Sequence, residues 1–252
     1  MDLKLKGCVA VVTGGASGIG EAIARTLATE GCAVCIVDRD GAAAKTAAAA
    51  LVQSGLTADA IAVDVGDADA VTKAFRTIVD RHRQLDILIN AAGLLSTGLI
   101  ADLASTEWER VSRVNVSGIL HCAKAAMPTM VAQRRGRIIN VASVSAMRGG
   151  GSIGNAIYGA SKAAVVALTM GLARELGPHG ITANAIAPAV ADTAMTRSAL
   201  TDESRHKILA RIPIGRLASL SDIADLVAFL ASERAGFITG TVIPIDGGIL
   251  TT

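Results

Sequence analysis

The chain has no run of lysines and arginines that stands out as a phosphate-tracking patch. Its 24 basic and 22 acidic side chains leave a formal charge of +2 over 252 residues, so nothing electrostatic argues for a nucleic-acid partner. No uninterrupted apolar stretch reaches membrane-spanning length, although 51% of residues are hydrophobic, because alanine and valine are spread along the chain. No membrane partner is expected. Met1-Asp2-Leu3-Lys4-Leu5-Lys6 leads into a short strand rather than a secretory leader, which makes the cytoplasm the expected compartment. Cysteines are few: Cys8, Cys32, Cys35 and Cys122. Cys32 and Cys35 form a CxxC inside a strand-like segment, where residues three apart face opposite sides. With no second CxxC and four scattered histidines, buried free thiols are expected and no metal site. No Pro/Ser-rich linker or internal repeat divides residues 1–252, so a single domain with a large core is expected.

What is present is a regular alternation. Apolar, β-branched runs at Cys8–Thr13, Ala33–Val37, Asp59–Val63, Asp86–Asn90, Arg137–Val141, Ile181–Ala187 and Thr241–Ile245 read as strands. Helical patterns fill the gaps at Gly20–Thr29, Ala42–Gln53, Asp67–Arg81, Thr106–Met130, Tyr158–Leu176 and Ser221–Ser232. Thr106 with Glu109, and Ser219 with Asp222, have capping-box spacing. Short strands alternating with helices predict an α/β fold, a doubly wound parallel sheet. Two irregular stretches, 143–157 and 188–211, follow strands and are candidate walls of a site.

Tyr158 and Lys162 lie four apart at the start of a helical pattern that stops at Gly177-Pro178, so they share one helix face. An ammonium close to a phenol lowers its pKa from about 10 towards the range useful for proton exchange. In the first strand–helix turn, Val12-Thr13-Gly14-Gly15-Ala16-Ser17-Gly18-Ile19-Gly20 puts backbone N–H groups at a helix N-terminus, where a pyrophosphate binds. The spacing is GxxxGxG rather than GxGxxG. The second strand ends in Val37-Asp38-Arg39. An acid about 20 residues past the glycines accepts hydrogen bonds from a ribose and repels a 2′-phosphate. With Ser17 in place of a basic residue, NAD is expected over NADP; Arg39 is the complication.

The segments Thr13–Gly20, Asp64-Val65, Asn90-Ala91-Ala92-Gly93, Asn115, Asn140–Ser143, Tyr158–Lys162 and Ile238-Thr-Gly-Thr…Asp246-Gly-Gly occur together and in order. By this set the chain resembles the short-chain dehydrogenase/reductase family over essentially its whole length. The resemblance implies a Rossmann fold with seven parallel strands and hydride transfer between a nicotinamide and a small-molecule alcohol or ketone. It implies Tyr158 as general acid/base and Lys162 as the group that tunes it and binds the nicotinamide ribose. Asn115 would hold a relay water through its backbone. A serine after the fifth strand would bond the substrate oxygen, and two family spacings point to Ser143 and Ser145. Loops absorb insertions more readily than strand ends, so Ser143 is expected and Ser145 is the reserve. The dinucleotide would be lined by Gly14, Ser17, Gly18, Ile19, Gly20, Asp38, Arg39, Asp64, Val65, Asn90, Ala91, Gly93, Pro188, Val190 and Thr193. Pro188-Ala189 stands where the family commonly has Pro-Gly, and alanine disfavours positive φ. A lid within 188–211 and a homotetramer are also implied.

The expected function is an NAD(H)-dependent secondary-alcohol dehydrogenase or ketone reductase. The nearest alternative is a 3-oxoacyl-carrier-protein reductase using NADPH, on the resemblance of Ile212–Arg216 and Asp222–Ala224. A non-catalytic dinucleotide sensor on this fold would have no use for the proton donor of the Tyr/Lys/Ser/Asn set, and a structural oligomer module would have no reason for the glycine turn. Leu94, Leu95, Met147, Ile153, Val190, Met195 and Leu200 are expected to give the substrate pocket an aliphatic wall.

Overall fold

The computed structural model describes residues 2–251 except Ser152, Ala194, Met195, Ser198 and Ala199. Seven strands, β1 Val9–Thr13, β2 Ala33–Asp38, β3 Ala58–Ala62, β4 Ile87–Asn90, β5 Gly136–Val141, β6 Ile181–Pro188 and β7 Val242–Ile245, form one sheet in the order β3-β2-β1-β4-β5-β6-β7. Every pairing is parallel. The helices are α1 Gly18–Thr29, α2 Gly41–Gln53, α3 Ala68–His82, α4 Glu107–Ser112, α5 Gly118–Gln133, α6 Ser145–Arg148, α7 Ala156–Leu176, α8 Asp202–Leu209 and α9 Leu220–Ala231. Strand order reverses between β1 and β4, and the crevice at such a switch point is where ligands enter this architecture.

Alternation along each strand supplies both faces of the sheet. In β1, Ala10 and Val12 join a core with Ile23, Leu27, Leu51 and Val227, while Val11 points to the opposite core with Phe75, Ile78, Met130 and Leu172. Cys32 and Cys35 divide the same way, one to each core, and both are free and buried. Among the described residues no cluster of His, Cys, Asp and Glu could hold a metal ion.

Three local readings need correction. The helix expected over Thr106–Met130 is broken by a π-helical turn at Arg113–Ser117, whose extra residue re-aims Asn115. Thr106 makes no side-chain cap because its own backbone is helical (φ −87°, ψ 0°), whereas Ser219 and Asp222 do form the expected capping box. The stretch 188–211 is less irregular than expected, since α8 is capped by Thr201, whose Oγ1 accepts from Ser204 N at 3.2 Å. Residues Ala156–His179 are long and apolar enough on average to cross a bilayer, but α7 packs on β5 and β6 and buries Lys162. It is a core helix.

Candidate active site

A cavity of 640 Å³ opens at the carboxyl ends of β1, β2, β4, β5 and β6. At one end the chain turns from β1 into α1. Gly14 has φ +65°, and a Cβ there would stand 2.7 Å from Ala92 Cα; its N–H is held by Val37 O at 2.8 Å. A Cβ on Gly20 would stand 2.1 Å from Gly14 O, so the first turn of α1 lies directly against the loop. Ser17 makes no side-chain cap, which leaves the first-turn N–H groups of α1 to a cavity that Gly18, Ile19 and Gly20 line. Such a cluster of N–H groups suits a pyrophosphate. Thr193 sits over the turn, 3.7 Å from where a Gly18 Cβ would be.

Asp38 ends β2. Its carboxylate accepts from Ala16 N at 3.3 Å and Asp40 N at 3.1 Å, which ties it to the glycine turn; Arg39 beside it is exposed on the same wall. Asp64 and Val65 line the next part of the cavity. Burial pushes the Asp64 carboxyl up, but the Gly66 N–H and the Arg113 guanidinium, 2.5 Å away, outweigh it and hold the pKa low. Ala91, Ala92 and Gly93 follow β4, with Ala91 and Ala92 donating to Thr13 Oγ1 at 3.2 and 3.3 Å.

Asn90 departs from expectation. Its side chain turns into the sheet, where Nδ2 donates to Asn140 Oδ1 at 2.8 Å, and it does not line the cavity. It is the last residue of β4, and strand alternation directs it inward. Asn115 is also fully buried and off the cavity wall. Its Oδ1 accepts from Leu94 N at 2.7 Å, and Nδ2 donates to Leu94 O and Ser161 Oγ, both at 3.0 Å.

The other end of the cavity holds Ser143, Tyr158 and Lys162. Asn155 caps α7 by accepting from Tyr158 N at 3.0 Å, and its Nδ2 donates to Ser96 Oγ at 2.8 Å, fixing where the tyrosine begins its helix. Sequence reasoning missed this pair, though an asparagine three residues ahead of a helical pattern is a cap signal. Ser143 Oγ donates to Pro188 O at 3.5 Å and accepts from Ser145 N at 3.1 Å, and its hydroxyl shares this end of the cavity with the Tyr158 phenol. Lys162 Nζ lies 5.8 Å from the tyrosine ring centroid and donates to Val141 O at 2.7 Å.

The expected lowering of the Tyr158 pKa by Lys162 is not what governs the phenol. Burial raises it, with the Ser143 hydroxyl pulling the other way. Burial also brings the Lys162 ammonium down to about 8, which weakens the positive charge that was to stabilise a phenolate. Pro188, Ala189 and Val190 complete the wall, and Ala189 avoids the left-handed region that its usual glycine would allow. Leu94, Leu95 and Ile153 line the pocket as expected. Met147 is instead 48% exposed, Leu200 packs with Ile208 and Ile212, and Met195 lies outside the described residues.

Comparison with known proteins agrees with this geometry. A family model described as enoyl-(acyl carrier protein) reductase matches residues 14–250. The chain is 41% identical over 244 residues to the 3-oxoacyl-[acyl-carrier-protein] reductase FabG of Staphylococcus aureus, covering 95% of this chain and 97% of the relative. It is 36% identical over 250 residues to that of Aquifex aeolicus, covering 99% and 100%. The crystal structure of a gluconate 5-dehydrogenase from Burkholderia cenocepacia J2315, in complex with NADP and tartrate, superposes with a TM-score of 0.94 at 31% identity, covering 100% of this chain and 98% of that one. A glycine cradle at the switch point, a Ser–Tyr–Lys cluster facing it and these full-length matches together make the chain a member of the short-chain dehydrogenase/reductase family, an oxidoreductase that uses a nicotinamide dinucleotide.

Proposed function

We propose that the protein reduces 3-oxoacyl compounds to 3-hydroxyacyl compounds, the activity named for its FabG relatives, rather than serving as a general alcohol dehydrogenase. The observation that carries this reading is that the Ser143 and Tyr158 hydroxyls line one end of a cavity walled by Leu94, Leu95, Ile153 and Val190. Two hydroxyls converge where a carbonyl oxygen can lie, beside aliphatic surface suited to an acyl chain. The nicotinamide supplies the hydride when bound. Tyr158 gives its proton to the carbonyl oxygen as negative charge develops there, and Ser143 donates a second hydrogen bond to the same atom. Lys162 holds its ammonium behind the phenol, anchored on Val141 O, and favours the tyrosinate left by proton transfer.

For the dinucleotide, Asp38 supports NAD(H). A carboxylate tied to the Ala16 N–H repels a 2′-phosphate and can accept from the ribose hydroxyls. NADPH is the second reading, favoured by exposed Arg39 on the same wall and by the NADP in the Burkholderia structure. Exposed Leu120 on α5 and Met170 on α7 support self-association, as the family resemblance implies. Steady-state oxidation of NADH and NADPH with 3-oxobutanoyl thioesters, against simple ketones, tests the whole reading. The expected result is faster turnover of the thioesters and a kcat/KM at least tenfold higher with NADH. A preference for simple ketones overturns the substrate class, and a preference for NADPH overturns the role given to Asp38.

A further inference from the structure

We infer that Arg148, with Ser145, forms a subsite for an anionic group on the substrate, a phosphate or a carboxylate, at the acyl end of the cavity; the inference rests on the ketone-reductase reading above. Beyond Ser143 and Tyr158 the wall is aliphatic apart from Ser145 and one cation, Arg148. The other charged residues on the cavity, Lys162 aside, are Asp38 at the end of β2, Arg39 and Asp40 just after it, and Asp64 after β3, at the dinucleotide end. Arg148 is the last residue of α6 and Ser145 the first, three positions apart, so their side chains share one face of the turn.

The guanidinium has one protein partner among the described residues. Nη1 donates to Ile249 O at 3.4 Å, and among the described residues no carboxylate pairs with it. The loop that follows is pinned: Gly150 N donates to Ser145 O at 3.1 Å and Gly151 N to Gly154 O at 2.9 Å. A Cβ on Gly159 would stand 2.3 Å from Gly150 N, so this loop rests directly on α7. Ser145 is only 6% exposed, and its hydroxyl makes no hydrogen bond to another described residue. A fork of donors free of any described carboxylate, on the same cavity wall as a buried hydroxyl, suits a carboxylate or phosphate, which accepts two parallel bonds from arginine. Arg148 is itself exposed, so solvent screens the attraction, and it contributes selectivity more than bulk affinity.

Two matched substrate pairs read this out, each pair differing in the anion. Acetoacetyl-coenzyme A is set against the acetoacetyl thioester of N-acetylcysteamine, which has no phosphate, and acetoacetate against methyl acetoacetate. The quantity measured is the ratio of kcat/KM for the charged member to that for the neutral one, in the wild type, Arg148→Ala and Arg148→Lys. Arg148→Ala is expected to lower the ratio at least fivefold in one or both pairs, with Arg148→Lys between. A fall in the first pair alone assigns the phosphate, and in the second alone the carboxylate. A smaller change in both overturns the subsite. If the wild type turns over none of the four, the 3-oxoacyl reading falls, and calorimetric titration of acetoacetyl-coenzyme A into the NADH-loaded protein decides the subsite by itself. Binding at least fivefold weaker in Arg148→Ala keeps it, whereas equal binding, or none in the wild type, removes it.

Discussion

Asn115 Nδ2 donates to Ser161 Oγ at 3.0 Å, and Ser161 Oγ donates to Tyr158 O at 2.8 Å. Through this chain of bonds the π-helical turn is stitched to α7 one turn along from the tyrosine, and both side chains are wholly buried. A buried amide that loses a partner keeps its desolvation cost. Ser161→Ala is therefore expected to destabilise the protein by about 1–2 kcal/mol, a fall of roughly 2–8 °C in Tm for a chain of this size. Thermal unfolding with turnover in parallel checks it. An unchanged Tm would mean that the bond contributes nothing to the placement of α7.

Tyr158→Phe removes one hydroxyl from a partly buried ring and leaves the Asn155 cap on its backbone N–H intact. Positioned acid/base groups contribute about 10²–10⁴-fold, so turnover is expected to fall by at least that range. NADH affinity, followed by fluorescence, is expected to stay within a few-fold of the wild type, because the glycine cradle is untouched. Substantial residual turnover would remove the tyrosine from the proton-transfer step.

These expectations draw on different depths of the sequence. The sheet was legible because β-branched runs alternate with helical spacing, and a parallel sheet covered on both faces is the packing that such a chain can adopt. Tyr158 and Lys162 could be paired because four residues of helix put them on one face, whereas Ser143 joined them only through the family resemblance. The inward turn of Asn90 and the π turn under Asn115 were not legible, since each is set by partners 50 and 46 residues away. The raised Tyr158 pKa was hidden for a related reason: helical spacing reveals the neighbouring cation, while burial, which dominates, depends on the whole fold.

Burial of Lys162 sets a sign for stability against pH. Its folded-state pKa is about 8 against an ordinary 10.5, so between these values the unfolded chain binds the extra proton. The contribution of this group is most favourable above pH 10.5 and is lost as pH falls through about 8. Lys162→Met should remove that dependence. Going from pH 8 to 10.5, the stability of the wild type relative to the variant is expected to rise by up to ~3 kcal/mol, at about 1.4 kcal/mol per pH unit. Denaturant unfolding of the two proteins across that window measures the difference and cancels the thiols. A gap that stays flat would show that the amine is not desolvated as its burial implies.

Gly18 and Gly20 are two residues apart in the same turn, yet they differ in what replaces their hydrogen. At Gly18 the obstacle is conformational: φ is +55°, and the nearest atom to an added Cβ is Thr193 Cγ2 at an ordinary 3.7 Å. A left-handed backbone costs an L-residue about 1–2 kcal/mol, so Gly18→Ala should fold with Tm lowered by a few degrees. At Gly20 the obstacle is contact with backbone, since the Cβ would be 2.1 Å from Gly14 O and 2.7 Å from Gly14 C. Neither atom can rotate away as a side chain would. The β1–α1 turn must open, and opening it moves the N–H groups that form the cradle. Gly20→Ala is thus expected to lose NADH binding and to lower Tm well beyond Gly18→Ala. Equal losses in the two variants would mean that the close approach of α1 to the loop is not what shapes the cradle.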